Sequence, residues 1–228
     1  MGLSIAWNQI DIIMFDMDGT LLDLAFDNFF WREVVVKTWA TEQDVTHEHA
    51  LLTLTPIFKQ QEGSLNWYSL PYWSDLLGLD LQALKIQHRD RISLRSGVQP
   101  LLETLRNHGK ILWLVTNAHP QALAIKLEKT GLTSYFSDII SSHDFGYAKE
   151  QTGFWQSLQQ QKPFTPARSL LVDDSESVLH AAHHFGLHVL GIEQPDSLLP
   201  ARHNLHYPAI SEWSEFIHEL QNSLIKNR

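Results

Sequence analysis

Cysteine is absent from the 228 residues, which removes disulfides, thiolate zinc sites and cysteine nucleophiles together. A reducing compartment is compatible with that absence. Basic residues are the minority: 17 Lys and Arg stand against 26 Asp and Glu, a formal charge of −9, so the surface as a whole repels a nucleic-acid backbone or an anionic bilayer. Small anions stay within reach, and the 13 histidines begin to offset the balance just below neutral pH. Long apolar runs are also missing. The longest are short ones such as Ile111 to Val115, far below the ~20 residues that a membrane-spanning helix needs. No basic segment precedes an apolar one near the start, where Asp11 interrupts early, and Ala6 stands where a myristoylation signal after Gly2 carries Ser or Thr. The cytoplasm is the expected location. The expected partner is a small molecule, with no nucleic acid polymer, no membrane and no signal for an oligomeric state.

What is present suits a folded chain, since 43% of residues are hydrophobic, 11% aromatic and only 19% charged. The length fits one domain carrying an insertion. Five strand-sized apolar runs recur: Ile12 to Phe15, Ile111 to Val115, Asp138 to Ser141, Leu170 to Val172 and Val189 to Ile192. Helix-like segments lie among the later ones, Val98 to His108, Pro120 to Thr130 and Ser175 to Phe185, each closed by a glycine. A last helix is predicted over Ser211 to Lys226. Strands alternating with helices imply a parallel sheet with helices on both faces, a three-layer, Rossmann-like α/β core. The alternation fails between roughly Leu24 and Arg95, where amphipathic stretches rich in Trp, Tyr and Leu predict helices only. The expected division is therefore an α/β core from residues 1–23 and 96–228, with 24–95 as an all-helical insertion after the first strand.

The first apolar run ends in Asp16-Met17-Asp18-Gly19-Thr20-Leu21-Leu22. Ligand sites of open parallel sheets lie at the carboxyl ends of strands, and residues two apart on an extended chain project to one side, so Asp16 and Asp18 can converge. Taken alone, Asp18-Gly19 suits a plain turn equally. A second apolar run ends in Asp173-Asp174-Ser175 before a helix, where Asp174 or Ser175 also serves as an N-cap candidate. If the two strands are neighbours, four carboxylates gather at one rim and repel one another unless some are protonated. A hard cation relieves the conflict. Magnesium fits best, because it takes oxygen ligands and keeps waters that a phosphate can replace; manganese or cobalt are expected substitutes. A third strand end carries Thr116-Asn117, a hydroxyl and an amide beside a helix start, suited to holding phosphate. Lys149, in Gly146-Tyr147-Ala148-Lys149, falls between that strand and the second acid pair.

This ordered set, Asp-x-Asp-Gly-Thr-Leu-Leu, a helical insertion, Thr-Asn, Lys and Asp-Asp, resembles the haloacid dehalogenase-like hydrolases across essentially the whole chain. The insertion is similar to that superfamily's helical cap of the first type. Asp23 to Asn28, Asn66-Trp67-Tyr68, Thr116 to Pro120 and Phe145-Gly146-Tyr147 resemble the bacterial purine 5′-nucleotidases of the superfamily that act on GMP and IMP. One departure is Glu150 after Lys149, where many relatives carry Pro. The resemblance implies hydrolysis of a phosphomonoester through an aspartyl-phosphate, with Asp16 as nucleophile and Asp18 as acid, then base. It also implies a metal held by Asp16, the Asp18 backbone carbonyl and an acid of the last motif, Asp174 favoured over Asp173. Thr116, Asn117 and Lys149 would bind the phosphate.

Trp31, Trp67, Tyr68, Tyr72 and Trp73 are candidates to stack on a base, although packing accounts for most of them. Asp27 and Asn28 follow the first motif closely enough to reach a substrate. His180, His183 and His184 share a helix face that reads as solvated rather than metal-binding. A receiver-type signalling domain uses similar groups, but its paired acids follow the first strand and it lacks a long insertion. Other phosphatases, for sugar phosphates or flavin mononucleotide, and a phosphomutase share the motif set. A metal-free dehalogenase would lack the acid corresponding to Asp18.

Overall fold

A computed structural model describes residues 7–225. Six parallel strands form one sheet: β1 (Ile12–Phe15), β2 (Ile111–Thr116), β3 (Asp138–Ser141), β4 (Ser169–Asp173), β5 (His188–Ile192) and β6 (Ala209–Ile210). Their spatial order is β3-β2-β1-β4-β5-β6. The chain therefore steps outward from β1 on one side and returns to continue on the other. β1 lies at the switch point, flanked by β2, with Phe15 beside Leu114, and by β4, with Phe15 beside Val172. Loops that diverge from such a point leave a crevice at the carboxyl edge, and this is where the motif residues fall.

Alternation along the strands separates two apolar layers. Ile13, Phe15, Leu112, Leu114, Leu170 and Val172 join one core with α6 (Val98–Asn107), α7 (Pro120–Thr130) and α10 (Trp213–Ile225). Met14, Trp113, Val115 and Leu171 face the other side, against α8 (Thr152–Gln161) and α9 (Glu176–Phe185). Strands buried on both faces read as continuous apolar runs, which is why the five predicted ones match to within a residue. The two-residue β6 is too short to leave a pattern. Helix α8 went unpredicted because its apolar residues, Phe154, Trp155 and Leu158, stand between Gly153 and a polar run of glutamines. The predicted last helix begins two residues later than expected, at Trp213, and Lys226 lies outside the described residues.

Between β1 and β2 the chain forms helices only: α1 (Ala25–Phe29), a π-helical stretch Phe30–Val35, α2 (Val36–Glu42), α3 (His47–Gln61), α4 (Leu70–Leu77) and α5 (Leu81–Gln87), with short 3-10 turns. Thr46 caps α3 by accepting from His49 N–H, and Asp80 caps α5 by accepting from Ala83 N–H. Its aromatic cluster is largely internal: Trp73 is buried and meets Trp31, Phe58 and Tyr72 edge to face, at centroid distances of 6.1, 5.0 and 5.1 Å. Among the described residues no helix is long and apolar enough to cross a membrane.

Candidate active site

Asp16 directly follows β1. Its N–H donates to the Val172 carbonyl at 2.9 Å, so pairing with β4 runs one residue past the strand and brings Asp16 level with Asp173. The Lys149 ammonium lies between them, 2.5 Å from Asp16 Oδ1 and 2.7 Å from Asp173 Oδ2, and donates to the Val115 carbonyl at 2.9 Å. Only 1% of Lys149 is exposed. Three strands thus fix one cation. Its own backbone is pinned as well, the N–H donating to Asn117 Oδ1 and the carbonyl accepting from the Trp155 indole.

Asp173 uses its second oxygen to accept from Ser175 N–H at 2.9 Å, at the start of α9. Ser175 stands at the N-cap of that helix, as one of the two candidates, but its side chain makes no capping hydrogen bond, and its own N–H is held by Asp173. The Asp174 carboxylate makes no hydrogen bond among the described residues. One oxygen from each of Asp16, Asp173 and Asp174 lies within 4.8 Å of the others, the only cluster of metal-ligating type among the described residues. Close passage of the first loop makes this possible. Gly19 has φ +83°, and a Cβ there would stand 2.8 Å from the Asp174 carboxylate.

Burial drives the electrostatics. It pushes Asp16 up to about 6 against the pull of Lys149 and with a further push from Asp173. Burial and the neighbouring Asp173 and Asp16 hold Asp174 well above the ordinary carboxylate range. Asp173 is raised by burial too, with Lys149 opposing. Burial alone would lower Lys149, but the carboxylates of Asp16 and Asp173 outweigh it and keep the ammonium charged. Lys149 thus serves two buried acids, while the half-buried Asp174 feels Arg202, which donates to its backbone carbonyl rather than to its carboxylate. The oxygen-only donor set, small separation and unpartnered Asp174 suit a hard divalent cation.

Asp18 turns to a different lysine. Its Oδ1 stands 2.7 Å from Lys126 Nζ, an ion pair without the alignment of a hydrogen bond. Burial pushes Asp18 up to about 6, Lys126 pulls down, and Asp27 and Asp16 push up again. Lys126 was not foreseen. The signal was present, because it falls four residues after Ala122 on the buried stripe of α7, where a charge is out of place.

Thr116 ends β2, and its Oγ1 accepts from Ala118 N–H at 3.0 Å, leaving the hydroxyl proton to donate elsewhere. The Asn117 side chain is engaged at both ends, its oxygen accepting from Lys149 N–H and its amide donating to Glu150 Oε2 at 2.9 Å. Glu150, which follows Lys149 where many relatives carry Pro, also accepts from the Tyr68 hydroxyl at 2.6 Å and so ties the turn before α4 to the loop bearing Lys149. Asp27 accepts from both Lys85 and Lys126, and the Asn28 amide donates to Asp196 Oδ2 at 2.6 Å. His180 and His184 sit exposed on α9, with His180 Nδ1 3.0 Å from the Tyr207 hydroxyl.

A cavity of about 520 Å³ is lined by Asp16, Asp18, Thr116, Lys149 and Asp174. Trp31, Phe58, Trp67, Tyr68 and Trp73 line it as well, with Arg32, Lys59 and Glu62, whereas Tyr72 does not and packs edge to face on Trp73.

The model of the haloacid dehalogenase-like hydrolases matches residues 13–192. The chain is 40% identical over 221 residues to the GMP/IMP nucleotidase YrfG of Escherichia coli (strain K12), covering 96% of this chain and 100% of that protein. It is 27% identical over 197 residues to a phosphoglycolate phosphatase of Aliivibrio fischeri, covering 80% and 83% of the two chains. Among solved structures, a HAD phosphatase from Thermococcus onnurineus shares the fold with a TM-score of 0.76 at 22% identity, over 94% of this chain and 98% of that one. Motif order, the switch-point site and these matches agree, and the chain belongs to the haloacid dehalogenase-like hydrolases.

Proposed function

We propose that this hydrolase is a magnesium-dependent phosphatase that works through a phosphoaspartate on Asp16 and takes purine 5′-nucleotides, GMP and IMP, as substrates. The observation that carries the reading is the grouping of Asp16, Lys149 and Asp174, whose carboxylate makes no hydrogen bond among the described residues, in one cavity that aromatic rings also line.

Asp16 attacks phosphorus while Lys149 holds its Oδ1, and the bond from phosphorus to the ester oxygen breaks. Asp18, which ionises at about 6, is partly protonated close to neutral pH and gives its proton to the departing alkoxide. In the second half Asp18 takes a proton from the water that attacks the phosphoaspartate, and phosphate and free Asp16 result. The Thr116 hydroxyl and the Asn117 N–H meet the oxygens of the transferring group, where most of the catalysis arises, and Lys149, whose three N–H donors go to Asp16, Asp173 and the Val115 carbonyl, adds its charge beside them. Magnesium would be held by Asp16, Asp174 and the Asp18 carbonyl, and supplies positive charge against the phosphoryl oxygens. Asp173 orients Lys149 rather than binding directly, since both its oxygens are taken. We further read residues 24–95 as a cap over residues 1–23 and 96–228, with the nucleoside between its aromatic rings. The kinship to a GMP/IMP nucleotidase over nearly the whole chain supports that substrate.

Phosphate release from a panel of nucleoside monophosphates, sugar phosphates and flavin mononucleotide, with magnesium and with chelator, tests the reading. GMP and IMP should lead the panel. Preference for a sugar phosphate would remove the nucleotidase, and activity indifferent to chelator would remove the metal.

A further inference from the structure

We infer that Lys126 is a positioning residue for Asp18, itself set in place by a buried chain of charge that begins in the helical insertion. Lys126 is 1% exposed on α7, in a region where an ammonium is tolerated only when fully paired. It donates to Asp27 Oδ2 at 2.7 Å and reaches Asp18 Oδ1 at 2.7 Å. Asp27 is occupied on its other oxygen by Lys85 at 2.7 Å, and Lys85 is anchored over the Phe26 and Phe30 rings at 5.4 and 4.8 Å. The order Lys85, Asp27, Lys126, Asp18 thus alternates in sign and runs from α5 to the first motif.

Its asymmetry is informative. A lysine needed only to neutralise Asp27 would duplicate Lys85, which already does so. What Lys126 adds is its contact with Asp18, on an irregular loop beyond β1, and Lys126 is the one cation paired with Asp18 among the described residues. An acid that must protonate a leaving oxygen works only within hydrogen-bond reach, and a displacement of about 1 Å costs up to about 10²-fold in rate. Lys126 therefore fixes where that carboxyl stands, and the insertion, through Lys85 and Asp27, fixes Lys126.

The inference rests on the phosphatase reading, and leaving-group chemistry tests it separately. The magnesium-loaded enzyme and its Lys126→Met variant are compared on GMP, whose alkoxide must be protonated to leave, and on p-nitrophenyl phosphate, whose phenolate leaves without a proton. Because Asp18 also serves the second half, which is the same for either substrate, release of the leaving group is read in a single turnover, where the expected loss in rate is about 10- to 10²-fold on GMP and under about threefold on the aryl ester, with Lys126→Arg recovering part of the GMP rate. Equal losses on both substrates, a change confined to KM, or no loss overturns the inference. Asp27→Asn should show the same skew in milder form, and it decides the matter if circular dichroism finds Lys126→Met unfolded. If both variants unfold, the chain of charge is structural and the inference falls. If the wild type prefers another alkyl monoester to GMP, the comparison is run on that ester. A wild type inactive on every alkyl monoester ends the phosphatase reading itself.

Discussion

Magnesium should stabilise this protein strongly at pH 7.5 and weakly at pH 5, by an amount that the acid cluster sets. Asp16 would ionise at 3.8 in an unfolded chain and does so at about 6 in the fold, because burial disfavours its charge. The folded state therefore binds the proton more tightly than the unfolded one, and stability falls as pH rises from about 4 through about 6. Above that window, keeping Asp16 charged costs about 3 kcal/mol, the difference of 6 and 3.8 converted at 1.36 kcal/mol each. Asp173 and Asp174 are displaced in the same direction, so the metal-free site favours low pH throughout. A divalent ion binds the charged form and cancels that cost. At about 100 times its dissociation constant it adds ~2.7 kcal/mol, which for a chain of this size is roughly 5–11 °C in melting temperature. Melting curves with excess magnesium and with chelator, at both pH values, check this. Protons compete with the metal at pH 5, so the shift should shrink there. A shift absent at pH 7.5, or larger at pH 5, would refute the placement of a cation among these carboxylates.

Asp16→Asn should abolish turnover and leave the circular dichroism spectrum unchanged, since an amide cannot form the acyl phosphate; full activity in that variant would end the proposed mechanism. Asp18→Ala should slow hydrolysis by about 10²–10⁴-fold, or roughly 3–5 kcal/mol of barrier, and a kinetic effect below tenfold would mean its role is misassigned. In Gly19→Ala the new methyl meets the Asp174 carboxylate and the φ of +83° becomes strained, so the magnesium-dependent melting shift should drop sharply. An unchanged shift would place Asp174 outside the metal's reach. Tyr68→Phe deletes the hydroxyl that donates to Glu150 and should cost about 1–3 kcal/mol in urea unfolding, with a smaller effect in Glu150→Gln, where an acceptor remains. Identical losses in the two variants would argue against that hydrogen bond.

Sequence alone marked five of the six strands and the acids that stand at their ends. The runs at Ile12, Ile111 and Leu170 are apolar without alternation because both faces of the sheet are covered, and such runs announce a parallel core whatever else the chain does. Asp16, Asp173, Asp174 and Lys149 were legible because each sits at or just past a strand end or in a short loop, where order along the chain maps onto place at the rim. What each side chain does there was decided by tertiary structure. Asp173 and Asp174 are adjacent and chemically alike, yet the fold gives Lys149 and the Ser175 N–H to one and leaves the other free. Asn117 has the right chemistry for phosphate, but Lys149 N–H and Glu150 occupy its amide group. Lys126, Lys85 and Asp27 lie on three separate helices, α7, α5 and α1, and meet only once these pack together. Local pattern encodes periodicity and burial, whereas the partner of a buried charge is set by which segments converge, and that information belongs to no single stretch of sequence.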